Sequence, residues 1–294
     1  MSNLFNIAPI YLINDSLLVS VIVLFLIGLV MGFVSTLFGI GGGFFYTPFF
    51  HSVLNLSAAQ AVATSLAQMP FLAIGGVLQY AKKKKILYRE AAFLLLGSIP
   101  TSQLIANSLG NIGHSTWGKT ILFGKVTNAD VLVASFFCTM IFSVGVYNII
   151  KSNKFNCERS VLKTSQSLLF RENKKYFIQI SLVGIGFGFV QSMIGIGGGF
   201  FAMPFFIYVC KKEPIEAVAT SLLCIFVTAS VTMVQFAYLN QLFLGISLLT
   251  ATGSLIGSYL GSRWALSLPS NRIVKLLGYL QIFVVFLYLY IKFF

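Results

Sequence analysis

One segment of this chain occurs twice. Residues Gly32–Leu66 read GFVSTLFGIGGGFFYTPFFHSVLNLSAAQAVATSL, and Gly188–Leu222 read GFVQSMIGIGGGFFAMPFFIYVCKKEPIEAVATSL. The offset is 156 without a gap, and 20 of the 35 positions are identical. The register continues more weakly, with Gln79 on Gln235, Gly97 and Ser98 on Gly253 and Ser254, and Ser102 on Ser258. Whatever the first copy folds into, the second must fold into again, and the two must then pack on each other. Both copies are apolar, and both are interrupted at the same place by a glycine run. Duplicated apolar halves with broken helices are a signature of secondary transporters, whose substrate site lies between the repeats.

Composition sets the medium. Hydrophobic residues make up 57% of the chain and charged residues 9%, whereas a soluble domain carries about 25% charged residues. Such a chain cannot cover a water-facing surface, so it is an integral membrane protein. Its net charge of +13 would suggest nucleic acid in a soluble protein, but Lys and Arg sit in short loops beside apolar runs, as the positive-inside rule describes. No basic face for nucleic acid remains. Cys138, Cys157, Cys210 and Cys224 form no CxxC pair, and the chain has two histidines. No metal, haem or other cofactor and no structural disulfide is therefore expected. Cys138 and Cys224 lie in apolar runs as small packing residues. The N-terminal run has no Lys or Arg ahead of it, so the first span is expected to be retained rather than cleaved as a signal.

The apolar runs predict spans near Leu17–Phe38, Ala58–Ala81, Glu90–Asn107 and Val131–Ile150, with a short one at Gly42–Leu56. The second half predicts Tyr176–Ile194, Ile215–Asn240, Gln241–Ala265 and Val274–Ile291, with a short one at Gly198–Cys210. A full crossing takes about 20 residues, so the short runs read as half-helices or short tilted spans that begin at the glycines. Five segments per half is an odd number, which sets the two repeats in opposite orientation. Placing Lys82–Lys85 in the cytoplasm puts 17 of the 20 basic residues on that side, and such a bias orients the protein. Both termini are then expected outside. The organisation expected is a first transmembrane repeat over 16–151, a basic cytoplasmic linker over 152–175 and a second repeat over 176–294. The fold class is an all-α polytopic membrane protein of two inverted-topology repeats.

Three motifs bear on function. The first is the glycine core, Gly39-Ile40-Gly41-Gly42-Gly43 with Pro48, matched by Gly195-Ile196-Gly197-Gly198-Gly199 with Pro204. Glycines end one helix and permit backbone dihedrals closed to other residues. The next helix then starts with free N–H groups, and a helix N-terminus attracts anions. Two such breaks from opposed repeats are expected to meet near the midplane around an anion-sized pocket. The second motif is Thr64-Ser65, matched by Thr220-Ser221, whose hydroxyls can donate to an oxyanion or bond back to the helix carbonyl at i−4. Gln79 and Gln235 follow about four helical turns later. The third is a small-residue face at Gly97, Ser98, Thr101 and Ser102, and at Gly253, Ser254, Gly257, Ser258 and Gly261. It reads as a packing seam.

Other chemistry is poorly represented. Residues Gly113–Thr120 fit GxxxxGKT, but no strand–helix context of an NTPase surrounds them. GIGGGF starts like GxGxxG yet lacks its last glycine and a βαβ unit. No carboxylate sits mid-span, where a proton or sodium relay would place one. His51, next to the glycine core, is the one titratable side chain near the proposed site and a possible proton switch; its repeat mate is Ile207. Ser-His catalysis needs a base within reach of a nucleophile, and only His51 and His114 are present. An enzyme is therefore not expected. An anion channel would need rings of basic side chains, which do not occur.

GxGGGxxxxP followed by AxxTS, once in each half, resembles the TauE/SafE family of membrane transporters. The resemblance runs from about Leu17 to the C-terminus. It implies a multi-pass permease of a bacterial inner membrane that moves small sulfur-containing anions of the sulfite and organosulfonate class. Carried over by motif, it points to Gly41, Gly42, Gly43, Pro48, Thr64 and Ser65, with Gly197, Gly198, Gly199, Pro204, Thr220 and Ser221. Together the readings give a secondary transporter of a small anion working by alternating access of two inverted repeats, with a channel and then an intramembrane enzyme as alternatives. The expected partners are a small anion and the bilayer, not nucleic acid; the sequence is silent on oligomeric state.

Overall fold

A computed structural model describes residues 17–114, 121–123, 126–152, 174–268, 275–283 and 285–286. The chain forms α1 (Leu17–Phe38), α2 (Gly43–Ser52), α3 (Ala58–Lys82) and α4 (Tyr88–His114), then a small antiparallel pair, β1 (Ile121–Phe123) and β2 (Val126–Thr127). There follow α5 (Asn128–Ser152), α6 (Lys174–Ile194), α7 (Gly199–Tyr208), α8 (Pro214–Tyr238) and α9 (Leu244–Ala265). A last helix is described over residues 275–283. Among the described residues, six helices are long and apolar enough to cross a membrane: α1, α3, α4, α6, α8 and α9. Residues 153–173 of the expected linker, Cys157, and residues 115–120 of the P-loop-like string lie outside the described residues.

The duplication is visible in the elements themselves. Helices α3 and α8 start and end at the same offset of 156, and so do the starts of α2 and α7 and of α4 and α9. Backbone irregularities repeat as well. Among the described residues, the non-glycine residues with positive φ are Asn55 (51°) and Lys84 (54°), mirrored by Lys211 (55°) and Asn240 (53°). Each ends a helix or turns the chain into the next one. Asn240 is why α8 stops at Tyr238 and α9 starts at Leu244, rather than both running on to Asn240 and Gln241 as expected from hydropathy. The two helix starts use different chemistry. Ser57 closes a reciprocal capping box with Gln60 ahead of α3, while α8 begins on Glu213 with Pro214 in its first turn, where the missing N–H is harmless.

Packing interleaves the halves. The most extensive interface joins α1 to α9, the next joins α4 to α6, and these two are repeat equivalents. Both depend on glycines that bring backbone against backbone. A Cβ on Gly257 would lie 2.8 Å from the Leu29 carbonyl carbon, and one on Gly97 would lie 2.9 Å from Ile185 N. Lipid gives no drive to bury apolar side chains against each other, so close backbone approach through small residues is what holds such helices together. Ser254 backs on to Gly32 and Ser98 on to Gly188, which places the small-residue faces in seams. Helix α3 also packs on α9, α8 on α4, and α3 on α8. Two bundles result, each mixed in origin: α1, α3 and α9 form one, α4, α6 and α8 the other.

Contacts give the helix directions. Gly28 lies against Thr250 and Gly32 against Ser254, so α1 and α9 run parallel. Ser247 meets Thr64 and Ser258 meets Gly75, so α3 runs with them. In the other bundle, Leu94 meets Gly184 and Ser98 meets Gly188, while Leu87 meets Thr220 and Gln103 meets Val231. Helices α4, α6 and α8 are therefore mutually parallel.

Candidate functional site

The glycine breaks are where the bundles touch. Helix α1 ends at Phe38, with Gly39 N and Ile40 N both bonded to Ser35 O at 2.7 and 3.3 Å. Gly39 and Gly41 then adopt φ of 67° and 76°, and Gly195 and Gly197 adopt 74° and 92°. An L side chain there would be strained by its own Cβ, which is why only glycine serves. The next helices are short. α2 and α7 have 10 residues each, or about 15 Å, half of a hydrocarbon core of about 30 Å. α2 begins beside the middle of α3, since a Cβ on Gly42 would meet Leu72 Cδ1 at 2.9 Å. Pro48 and Pro204 sit inside these half-helices, where each removes the donor for the carbonyl four residues back.

The two breaks meet. A Cβ on Gly41 would lie 2.7 Å from Ile196 O and 3.2 Å from Gly197 Cα. The start of α2 at Gly43 abuts the Gly195 carbonyl, and the start of α7 at Gly199 abuts the Gly39 carbonyl, with no room for a methyl group at either. Each helix start thus faces the last carbonyls of the other half.

The hydroxyl motif is engaged in the same junction. Ser65 Oγ donates to Gly195 O at 3.1 Å, and Ser221 Oγ donates to Gly39 O at 2.8 Å. Thr47 Oγ1 donates to Ser65 Oγ at 2.9 Å. Thr64 Oγ1 accepts from Phe243 N at 3.4 Å, and Thr220 Oγ1 accepts from Leu87 N at 3.1 Å. Every one of these partners crosses from one half of the chain to the other except Thr47. In this conformation the Thr-Ser pairs bind protein rather than an open cavity.

Gln79 and Gln235 are not brought to the breaks. Both are half-buried in the last turn of their helices, where their carbonyls accept from Lys83 N and Leu239 N. Gln79 lies seven residues beyond Leu72, about 10 Å along the helix. His51 is half-buried at the end of α2, and its Nδ1–H donates to Leu56 O at 2.9 Å.

Several buried polar groups were not singled out from sequence. Gln68 is fully buried, and neither of its amide atoms has a partner among the described residues. Gln191 is fully buried; its Oε1 accepts from Thr228 Oγ1 at 2.6 Å while Nε2 is unpaired. Ser35 Oγ, at the repeat equivalent of Gln191, is also unpaired. On the side of the Lys82–Lys85 turn, Lys212 pairs with Glu90 at 2.9 Å, Lys85 with Glu213 at 3.3 Å, and Arg89 stacks on Phe177 at 4.3 Å. Cys210, in the loop after α7, is a free thiol pushed up to about 11, mainly by burial, and so stays protonated at neutral pH. Cys138 and Cys224 form no disulfide among the described residues. Among the described residues no cluster of His, Cys, Asp or Glu could hold a metal ion.

A polytopic bundle of apolar helices, broken in pairs at its centre, is the architecture of a membrane transporter. Comparison with known proteins gives the family. Residues 24–289 match the sequence profile described as "Sulfite exporter TauE/SafE", and the chain belongs to this family. It is 27% identical over 273 residues to the "Probable membrane transporter protein YunE" of Bacillus subtilis (strain 168), covering 88% of this chain and 93% of that one. A second Bacillus subtilis relative, "Probable membrane transporter protein YjnA", is 25% identical over 248 residues, covering 82% and 90%. No solved structure matches the chain.

Proposed function

We propose that this transporter moves a small sulfur-containing anion across the bacterial plasma membrane by alternating access between two inverted repeats. The observation that carries the reading is the junction of the two breaks at Gly41 and Gly197. Helix starts attract anions, and irregular backbone at membrane depth is tolerated only where protein or a polar cavity covers it. The conformation described above is then the closed one, in which each helix start rests on a carbonyl of the other half. The sulfur-anion class follows the description of the family.

Helix directions support the inverted arrangement. Helices α1, α3 and α9 are parallel to each other, as are α4, α6 and α8. Gly76 near the end of α3 packs against Leu222 near the start of α8, and Gly195 just past α6 packs against Val62 near the start of α3, which supports opposed sets. The same directions collect the basic turn Lys82–Lys85, Arg89, Lys212 and Arg263 on one side, which is the cytoplasmic side by the positive-inside rule. The N-terminus then lies outside.

In this reading α1 moves with α9 and α4 with α6, because these glycine seams are the most extensive interfaces, while α3, α8 and the breaks lie between them. The drive proposed is a solute or ion gradient.

The test is flux of labelled sulfite, thiosulfate and sulfoacetate into proteoliposomes, with and without a pH gradient. Saturable flux of a sulfur anion, lost in Gly42→Leu and Gly198→Leu, is expected. No flux above empty liposomes for any sulfur compound overturns the substrate class.

A further inference from the structure

The junction binds its own hydroxyls, so solute recognition must use groups that remain unspent. In the apolar interior an unpaired amide is costly and calls for a polar occupant. Gln191 sits in the last turn before the second break, where its carbonyl accepts from Gly195 N at 2.8 Å. Its amide is held on α8 by Thr228. The repeat equivalent of Thr228 is Leu72, the residue against which Gly42 packs. In the first half, Ser35 stands where Gln191 stands in the second, and Gln68 lies one turn before Leu72 on the same face of α3. Both halves thus carry unspent polar groups at the level of their breaks: Ser35 Oγ and the whole carboxamide of Gln68 in one, the free edge of Gln191 in the other.

None of these groups is charged. Among the described residues, every Lys, Arg, Asp and Glu lies in a loop or in a first or last helical turn. A site built only from neutral dipoles offers no counter-charge. The cost of taking an ion out of water grows with the square of its charge, about fourfold from monoanion to dianion at equal radius. Amide and hydroxyl donors gain at most in proportion to the charge.

We propose that the solute is a singly charged oxyanion, contacted by Gln68, Gln191 and Ser35, and that dianions are excluded. A carboxamide suits that class, because its NH2 group donates to an anionic oxygen while its C=O accepts the O–H of a singly protonated oxyanion. This rests on the anion-transport reading and names the charge state and the contacting residues.

The experiment uses the full chain in proteoliposomes with two probes of fixed charge, methanesulfonate and sulfate. Methanesulfonate flux at least tenfold above sulfate flux is expected in the unaltered protein. Gln68→Leu and Gln191→Leu should each cut methanesulfonate flux at least tenfold and abolish the stabilisation that methanesulfonate gives in a thermal melt. Without solute, Gln68→Leu should melt unchanged or higher, since its unpaired buried amide has been removed, whereas Gln191→Leu also loses the Thr228 bond and is judged by flux and by the solute-induced shift. A purely structural glutamine gives the opposite pattern, with lower stability and intact flux, and overturns the assignment. Equal flux of the two probes overturns the charge selectivity without needing any variant. Flux of neither probe, with none for the other sulfur anions, brings down the anion-transport reading and this inference with it.

Discussion

Two glycines with identical sequence surroundings should respond differently to the same substitution. Gly42 and Gly198 are repeat equivalents within GIGGGF, and each caps the start of its half-helix. Gly42 has φ −78°, an ordinary right-handed helical value, whereas Gly198 has φ 62°. Gly42→Ala brings a methyl group to 2.7 Å from the Tyr46 ring and 2.9 Å from Leu72 Cδ1, both of them buried side chains rather than backbone. Gly198→Ala meets the Phe187 ring and the Phe187 carbonyl at 2.9 Å, and also forces an L residue into the left-handed region. That conformation costs about 1–2 kcal/mol. The gain from restricting the unfolded chain is common to both substitutions and cancels. Gly198→Ala should therefore be the less stable by about 1–2 kcal/mol. With about 2–4 °C per kcal/mol for chains of this order of size, the melting temperatures in detergent should differ by at least about 2 °C at equal scan rate. Equal melting temperatures, or a lower one for Gly42→Ala, would refute the backbone asymmetry.

Other perturbations test the junction and the seams. Ser65→Ala and Ser221→Ala each leave a buried carbonyl unpaired and should destabilise by about 1–3 kcal/mol, with Ser65→Ala the lower in thermal melts because it also takes the acceptor from the buried Thr47 hydroxyl. Gly257→Val sets side-chain atoms against the Leu29 backbone, which cannot yield, and should cost about 1–3 kcal/mol or more. Gly186→Ala, whose methyl meets only the Phe201 ring at 3.2 Å, should melt within about 2 °C of the unaltered protein by the same stability scale. Lys212→Met strands the Glu90 carboxylate, which is 9% exposed, and should lower the melting temperature; adding Glu90→Gln should recover most of the loss, since removing both partners is milder than removing one.

Much of this architecture could be read from residues alone, for identifiable reasons. A gap-free offset of 156 foretells that α3 and α8 share their boundaries. Glycine runs foretell the breaks, because no other residue accepts φ near 70° so readily. Interleaving of the halves was not legible. Glycine and serine at Gly253–Gly261 announce a seam, but spacing does not say that its partner is α1 rather than a neighbour in the same repeat. The opposite φ of Gly42 and Gly198 is equally hidden, since both stand in the same six-residue string. Thr64-Ser65 could be recognised as special, yet an oxyanion and a backbone carbonyl across the junction call for the same hydroxyl. Gln68 and Gln191 do not stand out in the sequence, because a lone glutamine in an apolar helix resembles any lipid-facing polar residue. The available signal was that their repeat equivalents are Cys224 and Ser35, so the duplication does not explain either amide.

Opposed orientation of the repeats is the claim on which the rest depends, and single-cysteine labelling tests it most directly. Lys84 and Asn240 are equivalent turn residues, with φ of 54° and 53°, after α3 and α8. In a background lacking Cys138, Cys157, Cys210 and Cys224, Lys84→Cys and Asn240→Cys would be treated with a membrane-impermeant maleimide in intact cells and in inside-out vesicles. The account predicts that Asn240→Cys labels from outside and Lys84→Cys only from the cytoplasmic face. Labelling of both from the same face would contradict it.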